Sequence, residues 1–459
     1  MDFAPVRARL VADKAPAALI ESFERSFQNY VSGYTGLVPE GGLEPLQAIP
    51  DYAECQKFVE AGRRALSHTF VLKLNGGLGT GMGLEQAKSL LPVKQGQSFL
   101  DVLIRQVRHI RGAFEVPLPL VLMNSYSTDA DTRDILLKHH EIIRAQKDIP
   151  LSFCQHRIPK IQIDSHLPVR WPEDPEKEWC PPGHGDIYLS LVTTGLLKLL
   201  LDRGFRYVFV SNVDNLGAML DLGILGYFTS HGLPFLMEVT DRTEADRKGG
   251  HLARKRGGGL LLREIAMCPH EELESFQDIS RHRYFNTNNL WIDLTAVQRH
   301  FDKHGGFDLP MIINKKTVDP KLRWSPAVVQ LETAMGSALA LFDNAGALRV
   351  PRTRFAPVKT TDDLLVLWSD VYNLGDDGTM TMAAGRSTPP TVRLDPGHYR
   401  IIDDFEARFR HGAPSLLHCE SLTIKGDFAF GRNVVCKGHV TLKNDTTSQT
   451  YIADGTHLL

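Results

Sequence analysis

The chain predicts an α/β protein built on a mainly parallel sheet, followed by a separate β-rich tail. Three observations carry that prediction. From residue 69 onward, short apolar runs alternate with helical stretches, the pattern of strands buried on both faces and linked by helices. The runs end in polar or glycine-containing clusters, and the carboxyl ends of parallel strands are where ligands gather. Beyond about residue 380 the pattern changes to short alternating strands punctuated by glycine.

Taken in order, residues 1–65 read as a helical cap, because Leu10, Val11, Leu19, Ile20, Phe23 and Phe27 recur near helical spacing among charges. Residues 66–380 form the core, with strands expected at 69–74, 118–123, 206–210, 234–239 and 289–292. Four polar ends, at Asn75-Gly-Gly77, Asn124-Ser-Tyr126, Ser211-Asn-Val-Asp214 and Asn288-Asn289, are expected to converge on one crevice. Residues 381–400, around Ala-Ala-Gly-Arg-Ser-Thr-Pro-Pro-Thr (383–391), read as a linker. In the last segment, 401–459, Leu422, Ile424, Phe428, Phe430, Val434, Val440 and Leu442 alternate with polar residues, which fits coils of a β-helix or a small sandwich.

Composition removes several classes of function. A length of 459 residues implies two or three domains and a core that needs no staples. A net charge of −2 gives no drive toward nucleic acid or anionic lipid. The six cysteines (55, 154, 180, 268, 419, 436) lie far apart without a C-x-x-C pair, which argues against a zinc knuckle or disulfide scaffold and for buried thiols in a reducing cytoplasm. Asp2, Arg7, Arg9, Asp13 and Lys14 interrupt the N-terminus, so no signal-peptide core is expected, and no apolar run reaches the ~18 residues of a membrane span.

The strand-like run Thr69-Phe-Val-Leu-Lys-Leu74 breaks into Asn75-Gly-Gly-Leu-Gly-Thr-Gly-Met-Gly83, and Ala87-Lys-Ser-Leu-Leu91 follows. Glycines let backbone N–H groups approach an anion closely, and Lys88 adds a full positive charge, so this loop suits a polyphosphate. It is not a Walker loop, because Gly83 is followed by Leu84. Nor does any register of Gly76, Gly77, Gly79, Gly81 and Gly83 supply G-x-G-x-x-G. The competing reading is a tight structural turn.

Other segments agree with phosphate chemistry. Asp214 ends an apolar strand between two amides; one carboxylate is enough for Mg²⁺ when a nucleoside triphosphate completes the octahedron, whereas the plainer reading is a helix cap or Asx turn. Trp179-Cys-Pro-Pro-Gly-His-Gly-Asp-Ile-Tyr188 concentrates prolines and glycines around His184 and Asp186; the two glycines beside His184 leave its imidazole accessible, whereas the plainer reading is a structural histidine. Lys248 before Gly249-Gly250 offers a cation and free amides in an otherwise ordinary charged loop. Asn286, Asn288 and Asn289 offer groups that donate and accept at once, as sugar hydroxyls require. Arg352, Arg354 and Lys359 lie together between prolines, either as a surface linker or with one cation reaching the phosphates. No nucleophile elbow, paired-carboxylate box or Cys–His pair stands out. A sugar 1-phosphate, with a second pKa near ~6, attacks phosphorus without a general base, so the protein has only to align and neutralise charge.

From about Leu72 to Leu364 the ordered blocks Leu-Asn-Gly-Gly-Leu-Gly-Thr, Met-Asn-Ser, Pro-Pro-Gly-His-Gly-Asp-Ile-Tyr, Ser-Asn-Val-Asp-Asn-Leu-Gly, Phe-Asn-Thr-Asn-Asn-Leu-Trp and Pro-Val-Lys-Thr-Thr resemble the UDP-glucose pyrophosphorylases (UTP–glucose-1-phosphate uridylyltransferases) of the eukaryotic type, which also have bacterial members. The resemblance implies a Rossmann-like nucleotidyltransferase core followed by a left-handed parallel β-helix. It also implies Mg²⁺-dependent transfer of UMP from UTP to glucose 1-phosphate. Leu74, Asn75, Gly76 and Gly77 are then expected along the UTP, with Asn212 and Val213 beside it and Lys88 on the triphosphate. Gln155 pairs with the uracil edge, helped by backbone at Met123 and Gly183. The amides of Gly76 and Gly77 also face the sugar phosphate, which His184, Asn212 and Asn288 contact, with Lys248 and Gly250 as further sugar-side candidates. Asp214 holds the magnesium and Lys359 stabilises charge during transfer. Two departures, Thr-Gly-Met-Gly for the usual Thr-Ser-Met-Gly and Ala-Lys-Ser for Pro-Lys-Ser, imply a looser loop. Two other readings stay open: a different sugar 1-phosphate, such as galactose or N-acetylglucosamine, and a catalytically silent nucleotide-binding regulator. The open strand edges of the tail also offer a route to a homo-oligomer.

Overall fold

Strand Thr69–Asn75, buried along its whole length, is the centre from which the architecture can be read. The computed structural model describes every residue except Met1, Lys147 and Arg323. A ten-stranded sheet forms the core. Its strands are β1 (Leu43–Pro45), β2 (Thr69–Asn75), β3 (Leu120–Asn124), β4 (Ser152–Cys154), β5 (Tyr207–Asn212), β6 (Phe235–Asp241), β7 (His251–Lys255), β8 (Leu260–Arg263), β9 (Tyr284–Asp293) and β10 (Gly346–Arg349). The main path runs β1-β7-β9-β5-β2-β3-β4, with β6 beside β9 and β10, and β8 beside β7.

Strands β5, β2, β3 and β4 are mutually parallel. Their burial explains the continuous apolar runs. Lys73 is the exception within β2, only 2% exposed, and its ammonium donates to Ser211 Oγ (2.6 Å) and the Ala218 carbonyl (2.7 Å). Burial pushes its pKa down to about 7.

The second half of the sheet departs from the expected parallel arrangement. Strand β9 is ten residues long and runs antiparallel to β5, β6 and β7. Asn288 and Asn289 are therefore not a carboxyl-terminal strand end but lie inside β9, beside Leu290, which pairs with Val210. They reach the same edge of the sheet by running the other way.

The N-terminal segment carries helices Ala4–Ala12 and Ala17–Val31, whose Val6, Leu10, Leu19, Ile20, Phe23 and Phe27 join the main hydrophobic core. Val11, expected on the same face, is exposed. The segment is more than a helical cap, because β1 pairs with β7 of the central sheet. Within 381–400, strand Thr391–Arg393 pairs in parallel with Ser415–Lys425. That strand in turn pairs in parallel with Val435–Lys443, and Phe428–Phe430 with Thr450–Ile452. The tail's core is shared with the rest of the protein: Leu394, Ile402, Phe405 and Leu422 belong to one cluster with Met82, Leu91, Phe99 and Val358. Five cysteines are buried, as expected, but Cys154 is exposed at the end of β4. Among the described residues no helix is long and apolar enough to cross a membrane.

Candidate active site

The register of the parallel strands sets the floor of the site. Leu74 pairs with Asn212 on one side and Met123 on the other, and Asn75 pairs with Asn124. The chain then continues outward from each strand. Val213 N–H donates to the Leu74 carbonyl (3.1 Å), and Gln155 N–H donates to the Asn124 carbonyl (2.8 Å). Asn75 is locked by Asn124 Oδ1 and Thr132 Oγ1, both 2.8 Å from its amide nitrogen, so the chain leaves β2 in a fixed direction.

The glycine loop is shaped by different needs at different positions. Gly79 and Gly83 adopt left-handed φ of +71° and +74°. Gly76 is required by proximity, because a Cβ there would stand 2.6 Å from Gln155 Nε2. Gly77 faces open space, with nothing within 4 Å of such a Cβ. Met82, 2% exposed, anchors the loop in the core shared with the tail.

Lys88 is buried at the far end of this loop, where its N–H donates to the Gly77 carbonyl (3.2 Å). Its ammonium lies 2.6 Å from Asp214 Oδ2 and also donates to the Val358 carbonyl. Val358 N–H donates to the Asp214 carbonyl (3.2 Å). Asn215 ties the same two segments: its amide donates to the Arg354 carbonyl (3.0 Å) and accepts from Ala356 N–H (3.0 Å). Lys359 is exposed and follows Val358 directly in the chain, and its charge acts on Glu264. Its neighbours in the basic cluster are committed elsewhere. Arg354 pairs with fully buried Glu238 (2.6 Å) and Arg352 with Asp246.

His184 sits on a one-turn helix, His184–Asp186. Gly183 before it has φ +81°, and a Cβ would fall 2.4 Å from the Thr333 carbonyl oxygen. His184 Nδ1 accepts from Met335 N–H (2.9 Å), which leaves Nε2 to carry the proton of the neutral ring. Burial pushes the ring's pKa down to about 4, so it is neutral at physiological pH.

Asn288 is presented by a bulge. Glu238 pairs with Asn289 and Val239 with Asn286, so Thr287 and Asn288 are extruded, with Asn288 in the left-handed region (φ 59°). Asn286 fixes it through two hydrogen bonds (2.8 and 2.9 Å). Asn286 N–H also donates to the Gly250 carbonyl (3.1 Å), which draws Gly250 into the same group, while Lys248 remains exposed on the loop.

Glu264 belongs to this group and was not anticipated. A Cβ on Gly250 would stand 2.5 Å from its Oε2. Burial raises its pKa, opposed by the charge of Lys359 and a hydrogen bond from Asn286. The signal was present as Leu260-Leu-Leu-Arg-Glu264, an apolar strand ending in a carboxylate, the same rule that singled out Asp214.

Asp214 Oδ1 is buried and has no hydrogen-bond partner among the described residues. Among the described residues no group of three or more His, Cys, Asp or Glu side chains could hold a metal ion. The unpartnered oxygen of Asp214 fits a hard cation held by one carboxylate with ligand oxygens supplying the rest.

Comparisons with known proteins point to one family. The sequence pattern of the family described as UTP–glucose-1-phosphate uridylyltransferase matches residues 20–437. The chain is 38% identical over 442 residues to the UTP–glucose-1-phosphate uridylyltransferase of Encephalitozoon cuniculi, covering 96% of this chain and 86% of that protein. It is 40% identical over 423 residues to that of Solanum tuberosum, covering 91% and 84%. A Leishmania major UDP-glucose pyrophosphorylase mutant, solved in complex with UDP-glucose, superposes with a TM-score of 0.91 at 43% identity, covering 99% of this chain and 97% of the other. A Trypanosoma brucei UDP-glucose phosphorylase structure gives the same TM-score, identity and coverage.

Proposed function

Because this chain belongs to the UTP–glucose-1-phosphate uridylyltransferase family, we propose that it transfers UMP from UTP to glucose 1-phosphate, releasing pyrophosphate and UDP-glucose. The observation that carries this reading is the meeting of Lys88 and Asp214 at 2.6 Å, with the Val358–Lys359 segment hydrogen-bonded to both. A phosphate-binding cation, a metal-binding carboxylate and a second cation thus share one place.

In the proposed reaction a phosphate oxygen of glucose 1-phosphate attacks the α-phosphorus of UTP. The new P–O bond forms as the bond to the bridging oxygen breaks, and pyrophosphate leaves with that electron pair. The dianionic nucleophile needs no base, so the protein aligns the reactants and offsets charge. Amides of Gly76 and Gly77, with Lys88 and Lys359, surround the phosphates. The neutral His184 donates from Nε2 to the sugar phosphate. Asp214 would hold Mg²⁺, which would supply positive charge to offset that of the phosphates. Gln155 reads uracil, and Asn212, Asn288, Gly250 and Glu264 face the sugar hydroxyls. We read the parallel pairs of the tail as coils of a left-handed β-helix.

Incubation with UTP, Mg²⁺ and a panel of glucose, galactose and N-acetylglucosamine 1-phosphates tests the proposal. Stoichiometric UDP-glucose and pyrophosphate, with glucose 1-phosphate preferred, is the expected outcome. Preference for another sugar would correct the substrate, and no nucleotide sugar from any of them would favour the silent regulator.

A further inference from the structure

We propose that Asp186 is a positioning residue that fixes the orientation of Gln155 relative to His184, and so sets the selectivity for uracil over cytosine. The inference rests on the site reading given above. Asp186 is 5% exposed, and its carboxylate makes three contacts. Oδ2 accepts from His156 N–H (2.7 Å) and from Ser190 Oγ (2.6 Å), and Oδ1 lies 2.8 Å from His156 Nδ1. His156 is in turn held from the other side, with Nε2 2.9 Å from Thr193 Oγ1.

His156 is the residue after Gln155, so the carboxylate grips the backbone at the point where the base-reading side chain departs. The same residue closes the loop that carries Gly183 and His184, because Asp186 N–H donates to the Gly183 carbonyl (3.2 Å). The opposite flank of that loop is fixed by Thr333 N–H on the Pro182 carbonyl (2.9 Å) and by Met335 on His184. Behind it lies a cavity of about 910 Å³ bordered by Pro182, Gly185, Asp186 and Thr333. The loop itself is close-packed on Thr333, where a Cβ on Gly185 would stand 2.4 Å from Oγ1, and the charged acceptor Asp186 adds its hydrogen bonds to that packing.

Orientation matters because a glutamine amide is a two-faced reader. One arrangement of its carbonyl and NH₂ matches uracil, and rotation by half a turn matches cytosine. Selectivity then depends on holding the amide in one state. Gly76 allows Gln155 Nε2 to lie against the loop, and the Asp186–His156 contact fixes the backbone from which it extends. Asparagine at 186 keeps the size but removes the charge, which weakens the bonds that the carboxylate accepts from His156 N–H, His156 Nδ1 and Ser190 Oγ.

The test compares kcat/KM for UTP and CTP in the full-length protein. For Asp186→Asn the UTP:CTP ratio is expected to fall about tenfold and the KM for glucose 1-phosphate to rise. His156→Ala keeps the backbone N–H on Asp186 but loses the ring contacts, so the ratio should fall less than in Asp186→Asn, whereas His156→Asn, which keeps a donor near Nδ1, should stay close to wild type. Combined with Gln155→Ala, Asp186→Asn should have no further effect on the ratio, since both act through one amide. If both nucleotides lose rate by the same factor in Asp186→Asn and His156→Ala, the residue is merely structural and the proposal is overturned. Should Asp186→Asn fail to fold, the two His156 variants decide. Should the wild-type chain make no UDP-glucose, the site reading fails, and calorimetric binding of UTP and CTP to the His156 variants still tests the brace.

Discussion

Lys88 Nζ stands 2.6 Å from Asp214 Oδ2, so the cation for phosphate and the carboxylate for metal offset each other in the free chain. Mg²⁺ binding to Asp214 must compete with the lysine until a triphosphate draws it away. Mn²⁺ titrated by calorimetry should therefore bind weakly to the free protein and more tightly with UTP present. A hydrogen bond between charged groups is worth about 1.5–3 kcal/mol, so Lys88→Met should tighten Mn²⁺ binding to the free protein about tenfold or more. The same variant should lower kcat about 10²–10³-fold. Equal Mn²⁺ affinity in the two proteins would contradict the competition.

Gly76 and Gly77 are adjacent but should fail in different ways. Gly76→Ala pushes against Gln155 Nε2 and should raise the KM for UTP with loss of uracil selectivity. Gly77→Ala meets open space in the free protein, so its melting temperature should stay within about 1 °C of wild type while turnover falls, because the methyl group occupies the volume meant for phosphate. A Gly77→Ala enzyme with full activity would remove that backbone from the phosphate site.

The acid limb of the rate profile should belong to the substrate rather than to His184. Burial lowers the His184 pKa to about 4, against about 6.5 in the unfolded chain. As pH falls below about 6.5 the unfolded chain takes up the proton first, so the stability contributed by the neutral ring is complete above that pH and lost toward about 4. The neutral Nε2–H donor persists through this range. A limb in kcat/KM near about 6 then reports the second ionisation of glucose 1-phosphate and should survive in His184→Gln, whatever the drop in rate. Disappearance of the limb in that variant would assign it to the histidine.

Much of this arrangement was legible in the chain because local rules and global fold agree. Strands ending in Asn75, Asn124 and Asn212 followed from buried apolar runs, and parallel register brought Leu74, Met123 and Asn212 side by side. The direction of β9 was not legible, since an apolar run does not state which way it is traversed. Nor did the sequence say which cation in Val350–Lys359 is left for the ligand. Arg354 is held by Glu238 and Arg352 by Asp246, partners more than 100 residues away. Glu264 was hidden because Arg263 interrupts the short apolar run of Leu260–Arg263 just before the carboxylate. The contribution of β1 to the sheet rests on a three-residue strand too short to carry a periodicity.

The claim on which the account depends is that Lys359, whose segment is tied to the Asp214 strand end by Val358 N–H on the Asp214 carbonyl and by the pairing of Pro357 with Asn215, offsets charge on the phosphates during transfer. Single-turnover formation of UDP-glucose by Lys359→Ala, at saturating UTP, glucose 1-phosphate and Mg²⁺, measures that step directly. The rate should fall about 10²–10³-fold with the unfolding midpoint unchanged, since the side chain is exposed. A rate within about twofold of wild type in a folded variant would contradict it.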